Sequence, residues 1–173
     1  SDITKGSIIE RPKVTYNEKT KKYVMWFHLE LAGHGYSAAR TGVATADQIT
    51  GPYTFIKSYR PNAKMAPYYR KSMVTPKVDI QSPNNAVDSI FVRDFPGGQM
   101  ARDMTLYVDD NGSAYHIFSS EENKTLHIAE LSADYTSHTG QFARMFPGFE
   151  TEAPAIFKKD GKYYMIGSGC TGW

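Results

Sequence analysis

The sequence predicts an all-β fold built as a β-propeller, and three observations predict it. Three stretches are versions of one another, each opening on a carboxylate: Glu10-Arg11-Pro12-Lys13-Val14-Thr15-Tyr16, Asp103-Met104-Thr105-Leu106-Tyr107-Val108 and Glu152-Ala153-Pro154-Ala155-Ile156-Phe157. Each runs into a charged turn and then a second, aromatic-rich stretch: Tyr23–Phe27, Tyr115–Phe118 and Tyr163–Ile166. Aromatic residues make up 13% of the 173 residues, 12 of them Tyr, which suits strands and also suits stacking on sugar rings. Radial repetition of such units aims the first residues of their innermost strands at one axis. Carboxylates that converge there are what acid–base cleavage of a glycosidic bond requires.

The elements follow in order. Ile8–Tyr16 and Tyr23–Leu31 predict a hairpin across the polar turn Asn17–Lys22, because β-branched and aromatic residues flank it. Ala38–Ala46 is the third strand, Thr50-Gly51-Pro52 a turn and Tyr53–Tyr59 the fourth strand, which completes a blade near residues 7–60. A second blade, near 101–147, takes Met104–Val108, Ala114–Ser119, Thr125–Leu131 and Gln141–Phe146. Its first turn is Asp109-Asp110-Asn111-Gly112, where Asn-Gly between two alternating runs is a strong hairpin signal. A third, near 150–173, opens at Glu152 and stops after its second strand. Between the first two lies a Pro-rich insertion near 61–100, holding Pro61, Pro67, Pro76, Pro83 and Pro96. So long a segment is read either as a surface excursion, the preferred reading for residues 63–85, or as a lid over the pocket; Ser89–Val92 is a candidate short strand. About two and a half to three blades are present, whereas propellers close with about four or more. The expectation is therefore a fragment of a single propeller domain, completed by further residues or partner chains, with self-association through its open blade edges.

Composition excludes several classes. The net charge is +2 and the basic residues are scattered, so no nucleic-acid partner is expected. No apolar run has the length of a membrane span, and Ser1–Lys5 lacks the features of a signal peptide. One cysteine, Cys170, excludes an intrachain disulfide and a cysteine metal cluster, and is read as a buried thiol. The five histidines lack ligand spacing, with His116 and His127 read as core residues, so neither a metal nor a cofactor is expected. Asp109–Gly112 lacks the distal Glu of a calcium loop and is read as a turn, and Glu121-Glu122 as a solvated face.

Five motifs in order resemble family 43 glycoside hydrolases, in the branch containing exo-β-1,3-galactanases: Ile9-Glu10-Arg11-Pro12-Lys13, Arg102-Asp103-Met104-Thr105-Leu106, Ser119-Ser120-Glu121-Glu122-Asn123, Glu152-Ala153-Pro154-Ala155 and Ser168-Gly169-Cys170-Thr171-Gly172-Trp173. The resemblance implies a five-bladed propeller, hydrolysis with inversion, an oligo- or polysaccharide substrate and an extracellular or periplasmic setting. It implies that Glu152, before a small residue and Pro, is the general acid, which must hold a proton near neutral pH. Asp103 matches the carboxylate that raises the acid's pKa and orients acid or sugar, and Glu10 a residue that binds substrate hydroxyls. Tyr36, Asn123, Thr171 and Trp173 fall at loops that bind galactose in that branch. The purely structural alternatives are a solvated strand end for Glu152, an Arg102 salt bridge for Asp103, an ion pair with Arg11 or Lys13 for Glu10, a rim or core aromatic for Tyr36 and Trp173, and turn chemistry for Asn123 and Thr171. No residue of the chain matches the family's catalytic base. The resemblance leaves open an α-L-arabinofuranosidase or β-xylosidase, and the missing base leaves open a non-catalytic glycan-binding propeller.

Overall fold

The computed structural model describes residues 1–71 and 75–171. Its strands form three antiparallel sheets. The first holds β1 (Ile8–Asn17), β2 (Lys22–Glu30), β3 (Arg40–Ala46) and β4 (Thr54–Tyr59) in sequence order. A helix, α1 (Ala86–Asp94), precedes the second sheet of β5 (Met104–Val108), β6 (Ala114–Ser120), β7 (Thr125–Leu131) and β8 (His138–Met145). The third sheet is the hairpin of β9 (Glu152–Lys159) and β10 (Lys162–Ser168). No helix among the described residues is long and apolar enough to cross a membrane.

Local chemistry accounts for the hairpins. Asn17 closes the first: its Oδ1 accepts from the backbone N–H groups of Lys19 and Thr20, while its Nδ2 donates to Ala133 O in the second sheet's β7–β8 loop. In the first and third sheets the strand opening is bulged in the same way. Glu10 pairs with His28 and Lys13 with Trp26, so Arg11 and Pro12 together oppose Phe27. Glu152 pairs with Ser168 and Ala155 with Ile166, so Ala153 and Pro154 together oppose Gly167. Arg11 and Ala153 take left-handed conformations, with φ of 53° and 46°. Pro at a bulge costs no ladder hydrogen bond because the unpaired residue has no partner to donate to. Asp103 lies just before β5, where Ser119 O accepts the Arg102 N–H and the Ser119 N–H donates to Asp103 O, so Arg102 and Asp103 together face Ser119. Strand β5 packs against both β1 and β9, which lines up the three openings.

The core lies between the first two sheets and α1. Trp26, Phe91, Ile117 and Phe118 are fully buried, and Trp26 Nε1 donates to Tyr135 O at 2.8 Å. His116, stacked on Trp26, shares a hydrogen bond with His138 (Nδ1 to Nε2, 3.0 Å), and His138 Nδ1 meets the Tyr59 hydroxyl at 2.6 Å. Burial drives both imidazoles toward the neutral form: His138 falls to about 3 and His116 well below the usual range, with its neighbour His138 adding to the shift.

Two expectations are corrected. Ser89–Val92 belongs to α1 and not to a strand. Asn85 caps that helix by accepting from Asp88 N, Asp88 and Arg93 sit at the favourable ends of its dipole, and Phe91 enters the core. Most described residues of 63–85 are exposed, in keeping with the preferred reading of a surface excursion, which is pinned where Val78 joins the core, Ile80 packs on it and Tyr68 N donates to Phe142 O on β8. Glu121 does not face solvent. It is completely buried, accepting from Arg144 Nε and Nη2, His127 Nε2 and Thr125 Oγ1, while Arg144 Nη1 donates to Asp88 of α1. Burial pushes its carboxyl up, but the hydrogen bonds from His127 and Arg144 outweigh this and hold it down. Only Glu122 of the pair turns outward, where it meets Arg93.

Candidate active site

The three strand openings meet at a cleft of about 830 Å³. Glu10, Tyr36, Asp103, Asn123, Glu152 and Thr171 all line it, together with His28, Arg11, Arg102 and Ser168. Every sequence-predicted site residue that is described is thus brought to one place. Trp173 lies outside the described residues. No described residue of 61–100 lines the cleft.

Glu152 sits at the β9 bulge, where the left-handed Ala153 turns the chain away and leaves the carboxylate over the cleft. Asn123 Nδ2 donates to its Oε1 at 2.8 Å. Asn123 ends a run of three left-handed residues, with φ of 52°, 58° and 65° for Glu121, Glu122 and Asn123. The first of these is locked by Arg144 and His127, and the last accepts the Thr151 N–H on its carbonyl. The loop that carries Asn123 is therefore nailed at both ends.

Asp103 does not pair with Arg102. Its Oδ1 accepts from Arg11 Nε at 2.9 Å and its Oδ2 from the Ala153 N–H at 3.1 Å, one donor from each neighbouring sheet. Arg102 instead donates to Tyr36 O at 3.1 Å. Glu10 pairs with neither Arg11 nor Lys13: its Oε1 accepts the Tyr36 hydroxyl at 2.8 Å and its Oε2 lies 3.4 Å from His28 Nδ1. The hydrogen bond to Glu10, followed by that carboxylate's charge, pushes the Tyr36 phenol up. The Tyr36 ring is about half exposed, as a rim aromatic.

Sequence reasoning missed Arg11, Arg102, His28 and Ser168. A signal existed for His28: a His and a Glu two apart at the end of an apolar strand point to one side of the sheet. For Arg11 there was none, since its partner lies 92 residues away. Cys170 is half-buried, and desolvation, then the charges of Glu152 and Glu150, push its thiol up, away from the reactive thiolate. The Asp109 and Asp110 carboxylates of the hairpin turn are engaged with Lys158, and Asp109 also takes the Tyr163 hydroxyl.

Comparison with known proteins identifies a family. The family model described as Glycosyl hydrolases family 43 matches residues 84–172, just over half of the chain. Among solved structures, a GH43 β-1,3-galactosidase with galactodeoxynojirimycin is 53% identical with a TM-score of 0.88, over 100% of this chain and 53% of that one. An exo-β-1,3-galactanase from Clostridium thermocellum is 36% identical (TM-score 0.74; 96% of this chain, 31% of that one). One from Phanerochaete chrysosporium, solved with galactose, is 32% identical (TM-score 0.74; 100% and 32%). The chain thus spans about half the length of the first of these and about a third of the others. No curated protein matches it. The bulged Glu-X-Pro openings, the converging carboxylates and the matched model lead to one assignment: the chain belongs to glycoside hydrolase family 43.

Proposed function

We propose that the three sheets are blades, near residues 7–60, 101–147 and 150–173, of a five-bladed propeller, and that their shared cleft binds the terminal galactose of a β-1,3-linked galactan. One observation carries the reading: three carboxylates that open equivalent strands line a single cleft. In this reading Glu152 is the general acid. Asn123 occupies its Oε1, which leaves Oε2 to give a proton to the glycosidic oxygen as the bond to the anomeric carbon breaks. Asp103 holds the acid's backbone through Ala153 and places a negative charge beside it. Glu10 accepts substrate hydroxyls, Tyr36 forms the rim, and Thr171 and Trp173 complete the sugar contacts. A polymeric substrate places the reaction outside the cytoplasm, in the periplasm or beyond the cell.

With these roles taken, none of the three carboxylates is left to activate water, as inversion requires. The chain then supplies the acid side of the reaction and hydrolyses galactan poorly by itself. That same engagement of Glu10 and Asp103 favours a second reading, a glycan-binding propeller without catalysis.

Azide separates the two. It needs no base, so it attacks the anomeric carbon from the face opposite the aglycone, forming the C–N bond as the C–O bond breaks. With β-1,3-galactobiose and azide the chain should form α-galactosyl azide, Glu152 protonating the leaving oxygen. Glu152→Gln should lower that rate about 100-fold, yet spare a nitrophenyl β-galactoside whose leaving group needs little protonation. Galactobiose binding without any azide product would establish the binding module instead.

A further inference from the structure

The end of β2 buries a carboxylate for which the proposed chemistry has no use. Glu30 is completely buried, and both of its oxygens accept the Ala39 N–H, at 3.0 and 2.9 Å. Its Oε1 also lies 2.8 Å from His28 Nε2. His28, itself buried, turns its other nitrogen to Glu10 Oε2 at 3.4 Å. Strand alternation puts His28 and Glu30 on one side of β2, and the β1–β2 register sets Glu10 directly opposite His28. A continuous path thus runs from the Ala39 amide through Glu30 and His28 to a carboxylate at the cleft.

Chemistry constrains what this path holds. A neutral imidazole has one N–H and serves one carboxylate, whereas serving both takes a proton on each ring nitrogen. A carboxylate as deeply buried as Glu30 is tolerated only with a charged or donating partner. Glu10 has about four acceptor sites. Tyr36 donates to one oxygen and His28 Nδ1 lies 3.4 Å from the other, and the partly exposed side chain leaves the remaining sites facing the cleft.

We propose that His28 and Glu30 are positioning residues that hold Glu10 as a fixed, charged double acceptor for adjacent hydroxyls of the terminal sugar. The role rests on the galactoside reading of the cleft. It makes Glu10 selective for a pair of neutral donors at a set spacing, since neither oxygen can swing away.

Calorimetry with β-1,3-galactobiose tests the role. His28→Phe should weaken binding about tenfold, the worth of one charged hydrogen bond. His28→Asn, whose amide N–H₂ replaces the donor at Nδ1, should restore most of the affinity. Glu30→Gln, which is isosteric, should weaken the hold on the His28 ring at Nε2 and weaken binding. Loss of fold alone would lower the Phe and Asn variants alike and show in their melting. Equal affinity in the Phe and Asn variants overturns the proposal. If the parent binds no galactobiose, the cleft reading itself falls and takes this role with it. Binding by the parent with indifferent variants sinks the relay alone.

Discussion

The backbone N–H of Ala153 donates to Asp103 Oδ2 at 3.1 Å, across the boundary between the second and third sheets. Because Arg11 donates to the other oxygen from the first sheet, one carboxylate joins three strand openings at the mouth of the cleft. Its charge and its two acceptor oxygens are both needed for this.

Asp103→Asn should therefore damage more than charge. The amide accepts one of the two donors and turns an N–H₂ on the other. Stability to urea should fall by about 1–3 kcal/mol, the cost of one unsatisfied, mostly buried group. Azide transfer from galactobiose should fall on the order of 100-fold, the effect of an acid displaced by about an ångström. A variant with parental transfer would show that the acid is placed without Asp103.

Ala153 holds φ at 46°, a region that suits glycine and penalises branched side chains. Ala153→Gly should stay within about 1 kcal/mol of the parent, relief of strain offsetting the freedom gained by the unfolded chain. Ala153→Val should lose about 1–3 kcal/mol. Equal urea midpoints for the two would mean that the bulge is absent in solution.

The buried His116–His138 pair predicts acid lability. Unfolded, each imidazole charges as pH falls through about 6.5, whereas burial holds His138 neutral down to about 3 and His116 well below its ordinary value. Depressed values mean that the unfolded state takes up protons first. The stability is complete above about pH 6.5 and is lost as pH falls toward 3, at about 1.4 kcal/mol per pH unit for each ring. Replacing His138 with Gln should flatten that slope by about one proton's worth. Urea midpoints that ignore pH between about 6 and 4 in the parent would contradict the buried neutral pair.

The β9–β10 hairpin leaves an apolar face open. Phe157 and Tyr164 are cross-strand partners with stacked rings 5.1 Å apart, Ile166 lies two residues on, and all three are exposed, Ile166 at 63%. Among the described residues β10 has a neighbour on one side only. The chain should self-associate there in concentration-dependent light scattering, and Tyr164→Lys with Ile166→Lys should return it to a monomer. A parent that stays monomeric at high concentration would refute this.

What the sequence determined by itself is local and periodic. Alternation, the Asn-Gly turn and the repeated acid-led openings placed ten strands within a few residues, and they marked Glu10, Asp103 and Glu152 as the residues that converge. It also led to the family, because the motifs that carry family 43 are contiguous stretches. The tertiary structure decided the partners. Arg11 could be seen beside Glu10, but the β1 bulge turns it to Asp103 in the next sheet. Adjacent charges at Glu121-Glu122 read as solvated, yet consecutive left-handed residues send one inward to Arg144 and the other outward to Arg93. The α1 segment read as a short strand because four apolar-flanked residues fit either period, and the choice fell to the Asn85 cap and the core space that Phe91 fills. The spacing of His28 and Glu30 was visible, but that Glu10 faces them is decided only once β1 is laid beside β2 in register. Period and turn chemistry act within a few residues, so sequence reports them directly. Which donor meets which buried carboxylate depends on bulges and inter-sheet packing, and those arise only when distant segments close on one another.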